Sequence, residues 1–199
     1  MIFSFHPVKH IACGEGGMIT TNNEELYLRL KKLRNHGIQR DPELMEFNHG
    51  IWYYEMQELG FNYRITDIQA ALGISQLKRA EEGLKLRREI AEVYDKTFKG
   101  KPYITNQSGI VDGHAYHLYI IEVDDRKGLL YHLRDHNIIS QVHYIPVHLM
   151  PYYRELGWRE GDFSHAEKYY HRCLSLPMFP ALGNKEQNYV CEKILNYFV

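Results

Sequence analysis

Lys9 closes the run Met-Ile-Phe-Ser-Phe-His-Pro-Val-Lys, and Gly14-Glu15-Gly16-Gly17 follows a few residues later. An apolar, β-branched and aromatic stretch of this kind reads as a buried strand end, and a glycine turn beyond it lets backbone approach a ligand closely. Burial would lower the pKa of the lysine amine. A lysine that is partly neutral near pH 7 attacks a carbonyl to form a Schiff base, and pyridoxal 5'-phosphate (PLP) is the commonest protein-bound partner for that reaction. The plain alternative is a solvated lysine with a buried stem.

Other residues carry chemistry with more competition. Ser4 has a hydroxyl to donate, or it caps its own backbone at a strand end. Asn62 and Arg64 stand in Gly60-Phe61-Asn62-Tyr63-Arg64, just ahead of a capped helix. A guanidinium there matches a phosphate bidentately, or pairs with a carboxylate on the surface. His143, Tyr144 and His148 occupy a strand-to-loop segment, for which a metal site is the rival reading. His114 and His117 are also closely spaced, but neither pair has carboxylate or thiolate companions on a shared helix, which is weak support for zinc. With 12 histidines in the chain, chance clustering is expected. Glu15 in its glycine turn, His6 before Pro7, and the tyrosines at 152, 153, 169 and 170 are read first as structural.

The elements that must position these groups fall into two sets. Residues 2–5 and 17–21 read as two short strands joined by the Lys9 turn, pieces of a larger sheet whose other strands would come before Met1. Asn23 is an N-cap for a helix reaching about Arg34, with Glu24 and Glu25 in its first turn and Leu26, Leu30 and Leu33 on its apolar face. Residues 36–60 read as a long irregular loop. Thr66 and Gln69 form a capping-box pattern. The helix behind them carries Ala70, Ala71, Gly73 and Ser75, small enough for close approach by another helix or a second subunit. After Gly83 a further helix runs to about Phe98, with Lys85, Arg87, Arg88 and Glu89 along one charged side.

From about Gly100 the pattern becomes a compact α+β unit. It has strands over 116–123 and 138–144, a helix capped by Asp125, a loop over 146–163, a helix over 164–173, and a last helix behind an Asn184/Gln187 capping box. This predicts helices packed on an antiparallel sheet.

Composition narrows the function class. The chain has 199 residues, 44% hydrophobic and 25% charged, enough for one or two domains with a real core. A net charge of -1, with no Lys/Arg run interleaved with aromatics, argues against a nucleic-acid partner. Cys13, Cys173 and Cys191 fall in no CxxC spacing and leave one thiol over in any pairing, which fits a reducing cytoplasm. Neither a leader pattern nor an apolar run of membrane-spanning length is present, so no membrane partner is expected.

Ser4 to Lys9, Gly14 to Gly17, the run Asn62-Tyr63-Arg64-Ile65-Thr66-Asp67-Ile68-Gln69-Ala70-Ala71-Leu72-Gly73, and Gln141 to His148 resemble, in that order, the DegT/DnrJ/EryC1/StrS family. These are PLP-dependent aminotransferases of nucleotide-linked keto-sugars. The likeness runs nearly the whole length, and within the family it points to the UDP-4-amino-4,6-dideoxy-N-acetyl-altrosamine transaminases. It implies an α/β fold, the C-terminal part of a PLP fold type I (aspartate aminotransferase-like) enzyme. Residues 1–99 would be a partial PLP-binding large domain with an interdomain helix, and 100–199 a small C-terminal α+β domain.

The resemblance also assigns roles. Lys9 would form the Schiff base and shuttle a proton, with L-glutamate as amino donor. Ser4 would donate to the cofactor phosphate, and Asn62, or Arg64 in its place, would reach the phosphate of a partner subunit. His143, Tyr144 and His148 would lie near the nucleotide-sugar entrance. In the family the Schiff-base lysine lies mid-chain, so the carboxylate for the pyridinium nitrogen, the ring-stacking group and the phosphate-binding helix are expected before Met1, which then reads as an internal methionine.

Three functions follow. The first is the nucleotide-sugar aminotransferase, as a homodimer or with a separately encoded N-terminal half. The second is a non-catalytic remnant that folds or dimerises without productive PLP binding. The third is a PLP-dependent sugar dehydratase, against which Lys9 counts because histidine replaces the lysine there.

Overall fold

The computed structural model describes residues 1–106 and 113–199, and the chain divides into two compact units, Met1–Ala80 and Glu81–Val199.

The first unit opens with an antiparallel ribbon of β1 (Ile2–Ser4) and β2 (Gly17–Ile19), with Phe3 opposite Met18. The sequence suggests buried strands here, yet every residue of both strands is exposed. A two-stranded ribbon has no second layer to cover its apolar side chains. Next comes α1 (Glu24–Leu33), whose N-cap Asn23 accepts from the Leu26 N–H at 2.8 Å. The stretch expected to be irregular holds a short antiparallel pair, β3 (Ile38–Gln39) and β4 (Glu55–Met56). The unit ends on α2 (Asp67–Leu77), and its Thr66/Gln69 capping box forms as expected.

At the end of α1 two backbone segments cross in contact. Gly37 has φ +69°, and a Cβ there would sit inside the Glu58 carbonyl, while a Cβ on Gly60 would strike the Gly37 nitrogen. Only glycine meets both demands. Because the segments approach so closely, the open carbonyls of the last turn of α1 find donors: Phe61 N–H reaches Leu33 O at 2.7 Å and Tyr63 N–H reaches Arg34 O at 2.9 Å. Within this unit only Cys13 and Gly37 are buried.

The second unit has a core of its own. Its sheet is antiparallel, in the order β5 (Thr105–Asn106), β6 (Tyr119–Glu122), β7 (Cys173–Leu176). Around it lie α3 (Ala80–Phe98), α4 (Arg126–Asp135), the short α5 (Pro151–Glu155), α6 (Ser164–Arg172) and α7 (Asn184–Tyr197). Ile90, Ala91, Tyr94 and Phe98 of α3 join Tyr119, Ile121, Leu174 and Leu176 of the sheet, with Leu129, Leu133, Val190 and Ile194 from α4 and α7, in one apolar cluster. The expected boundary at 99/100 therefore lies at the far end of α3 from the observed division, because the apolar face of α3 is part of this core.

Four expectations change here. Arg87, expected with Lys85, Arg88 and Glu89 along one charged side of α3, is buried while those three are exposed. It is 6% exposed, and its Nη1 donates to the carbonyls of Tyr116, His117 and Met178 at 3.0, 3.2 and 2.9 Å. Residues 138–144 make only an isolated bridge, Gln141 to Ser175, and β6 is flanked by β5 and β7 instead. The 116–123 strand is confined to Tyr119–Glu122, since Tyr116 has a positive φ. The Asn184/Gln187 box does not form: Gly183 is the N-cap without a side-chain bond, and the Gln187 amide is buried and donates to Ile90 O at 2.7 Å.

Candidate active site

The Lys9 loop is closed from both sides. Phe5 donates its N–H to Gly16 O at 2.9 Å, and Cys13 donates back to Phe5 O at 3.0 Å. Inside this closure the chain turns at His6, whose carbonyl accepts the Lys9 N–H at 2.9 Å. Lys9 is half-buried and lies past the end of β1 rather than on it. Gly17 lets the return strand pass, because a Cβ there would come 2.8 Å from Phe3 O.

Ser4 sits at the mouth of the loop, its Oγ accepting from the His6 N–H at 3.4 Å. That bond uses a lone pair and leaves the hydroxyl proton available to an acceptor. The His6 ring lies beside the Glu15 carboxylate, Nε2 to Oε1 3.7 Å, with both side chains exposed. Glu15 also engages through its backbone. Its carbonyl accepts from the Cys13 thiol at 3.5 Å and from the Gln69 amide at 2.9 Å.

The contact with Gln69 joins the loop to the segment that carries Asn62 and Arg64. Ile65 supports the same junction, since a Cβ on Gly16 would lie 3.3 Å from its Cδ1. Asn62 is bridged through its backbone to Asn35, and the Arg64 guanidinium donates to the Asn35 side chain. Asn35 thus fixes both phosphate candidates, which are exposed. Ser4 and Lys9 therefore share one loop, Asn62 and Arg64 share one strand-like segment, and the two pieces meet at Glu15–Gly16 against Ile65 and Gln69.

His143, Tyr144 and His148 belong to the second unit. His143 Nδ1 lies 2.7 Å from the Ser175 hydroxyl, and its ring packs edge-on against Tyr144. His148 is buried, with Nε2 2.7 Å from Glu167 Oε1. The bond to His148 leads the causes that hold the Glu167 carboxyl below the usual range, with N–H donors from Gly161 and Phe163 adding to it. Among the described residues no group of three or more His, Cys, Asp or Glu is arranged to hold a metal ion. Sequence reasoning missed Asn35, Gln69 as a tie to the loop, Ser175 and Glu167. Gln69 alone had a signal, its capping box, and that signal explained only half of its side chain.

A family model for DegT/DnrJ/EryC1/StrS aminotransferases matches residues 1–195. The spore coat polysaccharide biosynthesis protein SpsC of Bacillus subtilis is 40% identical over 96% of this chain and 52% of its own length. The UDP-4-amino-4,6-dideoxy-N-acetyl-beta-L-altrosamine transaminase of Helicobacter pylori is 34% identical over 99% of this chain and 52% of its length. Among solved structures, the Helicobacter pylori aminotransferase PseC, involved in pseudoaminic acid biosynthesis, superposes with a TM-score of 0.87 at 32% identity, covering 99% of this chain and 52% of that one. The putative sugar aminotransferase Spr1654 of Streptococcus pneumoniae in its PMP form gives 0.86 at 30%, covering 97% and 51%. The chain thus spans about half the length of the relatives it matches.

Proposed function

The chain belongs to the DegT/DnrJ/EryC1/StrS aminotransferase family, and from that membership we propose that it is the lysine-bearing half of a PLP-dependent enzyme. That enzyme moves an amino group from L-glutamate to a ketone on a nucleotide-linked sugar, in the cytoplasm. The observation that carries the reading is the half-buried Lys9 in a closed glycine loop that is tied to the capped helix α2.

The residues present fit the cofactor. An amine, a hydroxyl with its proton to spare, an amide and a guanidinium are the donor types that an aldehyde and a phosphate require. PLP, when bound, supplies the electron sink for carbanion chemistry. Lys9 would hold PLP through its side-chain amine and, as the base of the site, would move the proton of the amino donor's α-carbon. Ser4 Oγ would donate to the phosphate of the same site. Asn62, with Arg64 beside it, serves the phosphate of a partner subunit. His143, Tyr144 and His148 would be the residues that contact the nucleotide-linked sugar.

Assembly, as a homodimer or with an N-terminal half encoded separately, is part of the proposal. It is supported by α2, where Ile68 is 85% exposed and no residue is buried. A helix this apolar is ordinarily covered. The same exposure favours a second reading, a remnant that associates without productive PLP binding.

Titrating the purified chain with PLP, reducing with borohydride and locating the modified residue by mass separates the two. Label confined to Lys9, and lost in Lys9→Ala, supports the enzyme half. Scattered or absent label supports the remnant.

A further inference from the structure

The segment from Gln141 to His148 is fastened at both ends to one continuous stretch of chain. At its start Gln141 and Ser175 exchange backbone bonds of 3.1 and 2.7 Å, and His143 Nδ1 meets the Ser175 hydroxyl. At its end His148 meets Glu167. Glu167 lies in α6 and Ser175 in β7, and Arg172 of α6 is followed directly by Cys173 of β7. One helix–strand unit therefore sets the distance between the two anchors. Between them the chain bows outward, leaving Tyr144 68% exposed.

Glu167 is 8% exposed, a degree of burial that a carboxylate tolerates only with full pairing. The Gly161 N–H lies 2.9 Å from each of its oxygens, Phe163 N–H reaches Oε1 at 3.4 Å, and His148 takes Oε1 at 2.7 Å. Phe163 also packs edge-on against the His148 ring, with centroids 4.8 Å apart. The carboxylate thus ties the 3₁₀ turn Val147–Leu149 and the loop before α6 to the first turns of α6.

We propose that Glu167 is a positioning residue which, acting through His148, holds residues 144–147 in the arrangement that receives the nucleotide part of the substrate. The proposal rests on the aminotransferase reading above, and it moves His148 from the substrate surface to the inner half of a clasp. A loop held in its binding conformation before the ligand arrives avoids paying ordering entropy on binding.

The test uses the whole 199-residue chain as wild type, Glu167→Ala and Glu167→Gln, with UDP as the probe. Glutamine keeps the length and an acceptor oxygen. In Glu167→Ala, amide hydrogen exchange over residues 144–149 should accelerate roughly tenfold or more while β6 and α7 keep their protection. UDP affinity by calorimetry should fall about tenfold, and Glu167→Gln should recover most of both.

Faster exchange throughout β6 and α7 would make Glu167 a general stabiliser and overturn the proposal. Local acceleration with equal UDP affinity in all three forms would overturn it as well. If no form binds UDP, the proposal falls with the reading beneath it, and the exchange data tell that failure from failure of the clasp.

Discussion

The side-chain amide of Gln69 donates to the Glu15 carbonyl at 2.9 Å across 54 residues of sequence. Its other end is the acceptor of the α2 capping box, with Oε1 3.0 Å from the Thr66 N–H. One side chain thus starts a helix and ties that helix to the loop bearing Lys9. Gln69→Glu keeps the capping acceptor but replaces the donor with a second oxygen facing a carbonyl. Reductive PLP labelling of Lys9 should fall severalfold in this variant while far-ultraviolet circular dichroism stays near wild type. Gln69→Ala should lose both, with a helix-capping cost of about 1 kcal/mol.

Arg87 donates to three carbonyls from one buried nitrogen, and burial lowers its pKa from the usual arginine value. Arg87→Leu leaves Tyr116, His117 and Met178 carbonyls short of a donor. A loss of roughly 3 kcal/mol is expected, read from the midpoint of urea unfolding followed by near-ultraviolet dichroism. Arg87→Lys should recover only part of it, since the lysine ammonium ends about one bond short of the position that Nη1 occupies.

Acid should weaken the second unit through two carboxylates. His148 chiefly holds Glu167 below its ordinary pKa, and the Tyr197 hydroxyl chiefly does the same for Asp125, helped by the Gly128 N–H. A depressed folded-state pKa gives stability that is full above the unfolded value, about 4, and is lost as pH falls through the folded value. Thermal midpoints should therefore be level from neutrality down to about pH 5 and drop below pH 4, and Glu167→Gln should flatten that drop.

Ile68 and Ile74 on α2 are exposed and make no contribution to a core within their own unit. Ile68→Lys and Ile74→Lys should change the stability of the isolated chain by less than about 0.5 kcal/mol. They should nevertheless abolish self-association, or association with a supplied N-terminal half, in sedimentation velocity. Unchanged association would place the covered face elsewhere.

What could be read from the sequence was local. Asn23, Thr66 and Asp125 cap as their types and spacing predict, because a capping bond spans only a few residues and needs no tertiary partner. The Asn184/Gln187 pattern failed because Gln187 found a distant partner in Ile90 O. Arg87 looked like one more charge on a charged helix, and only the carbonyls brought by residues 116–117 and 178 make it internal. β7 has no counterpart in the sequence reading beyond Cys173, the expected last residue of the preceding helix, since Cys-Leu-Ser-Leu is too short for its period to show and all four residues are buried. Among the site candidates, the Lys9 loop was visible through its glycines. Glu167 carried no pattern at all, because its partners are two backbone N–H groups and a histidine 19 positions away.

The crossing of Gly37 and Gly60 bears on the genetics of the chain. A clash between two side chains can be relieved by shrinking the other one, which is how second-site suppressors arise. Here each missing Cβ faces main chain, Gly37 against Glu58 and Gly60 against Gly37. No substitution elsewhere can make a main chain smaller. A lesion at either glycine should therefore not yield to a smaller side chain nearby, and a suppressor screen begun from Gly37→Ala should return glycine revertants or distant stabilising changes and no local size-reducing ones.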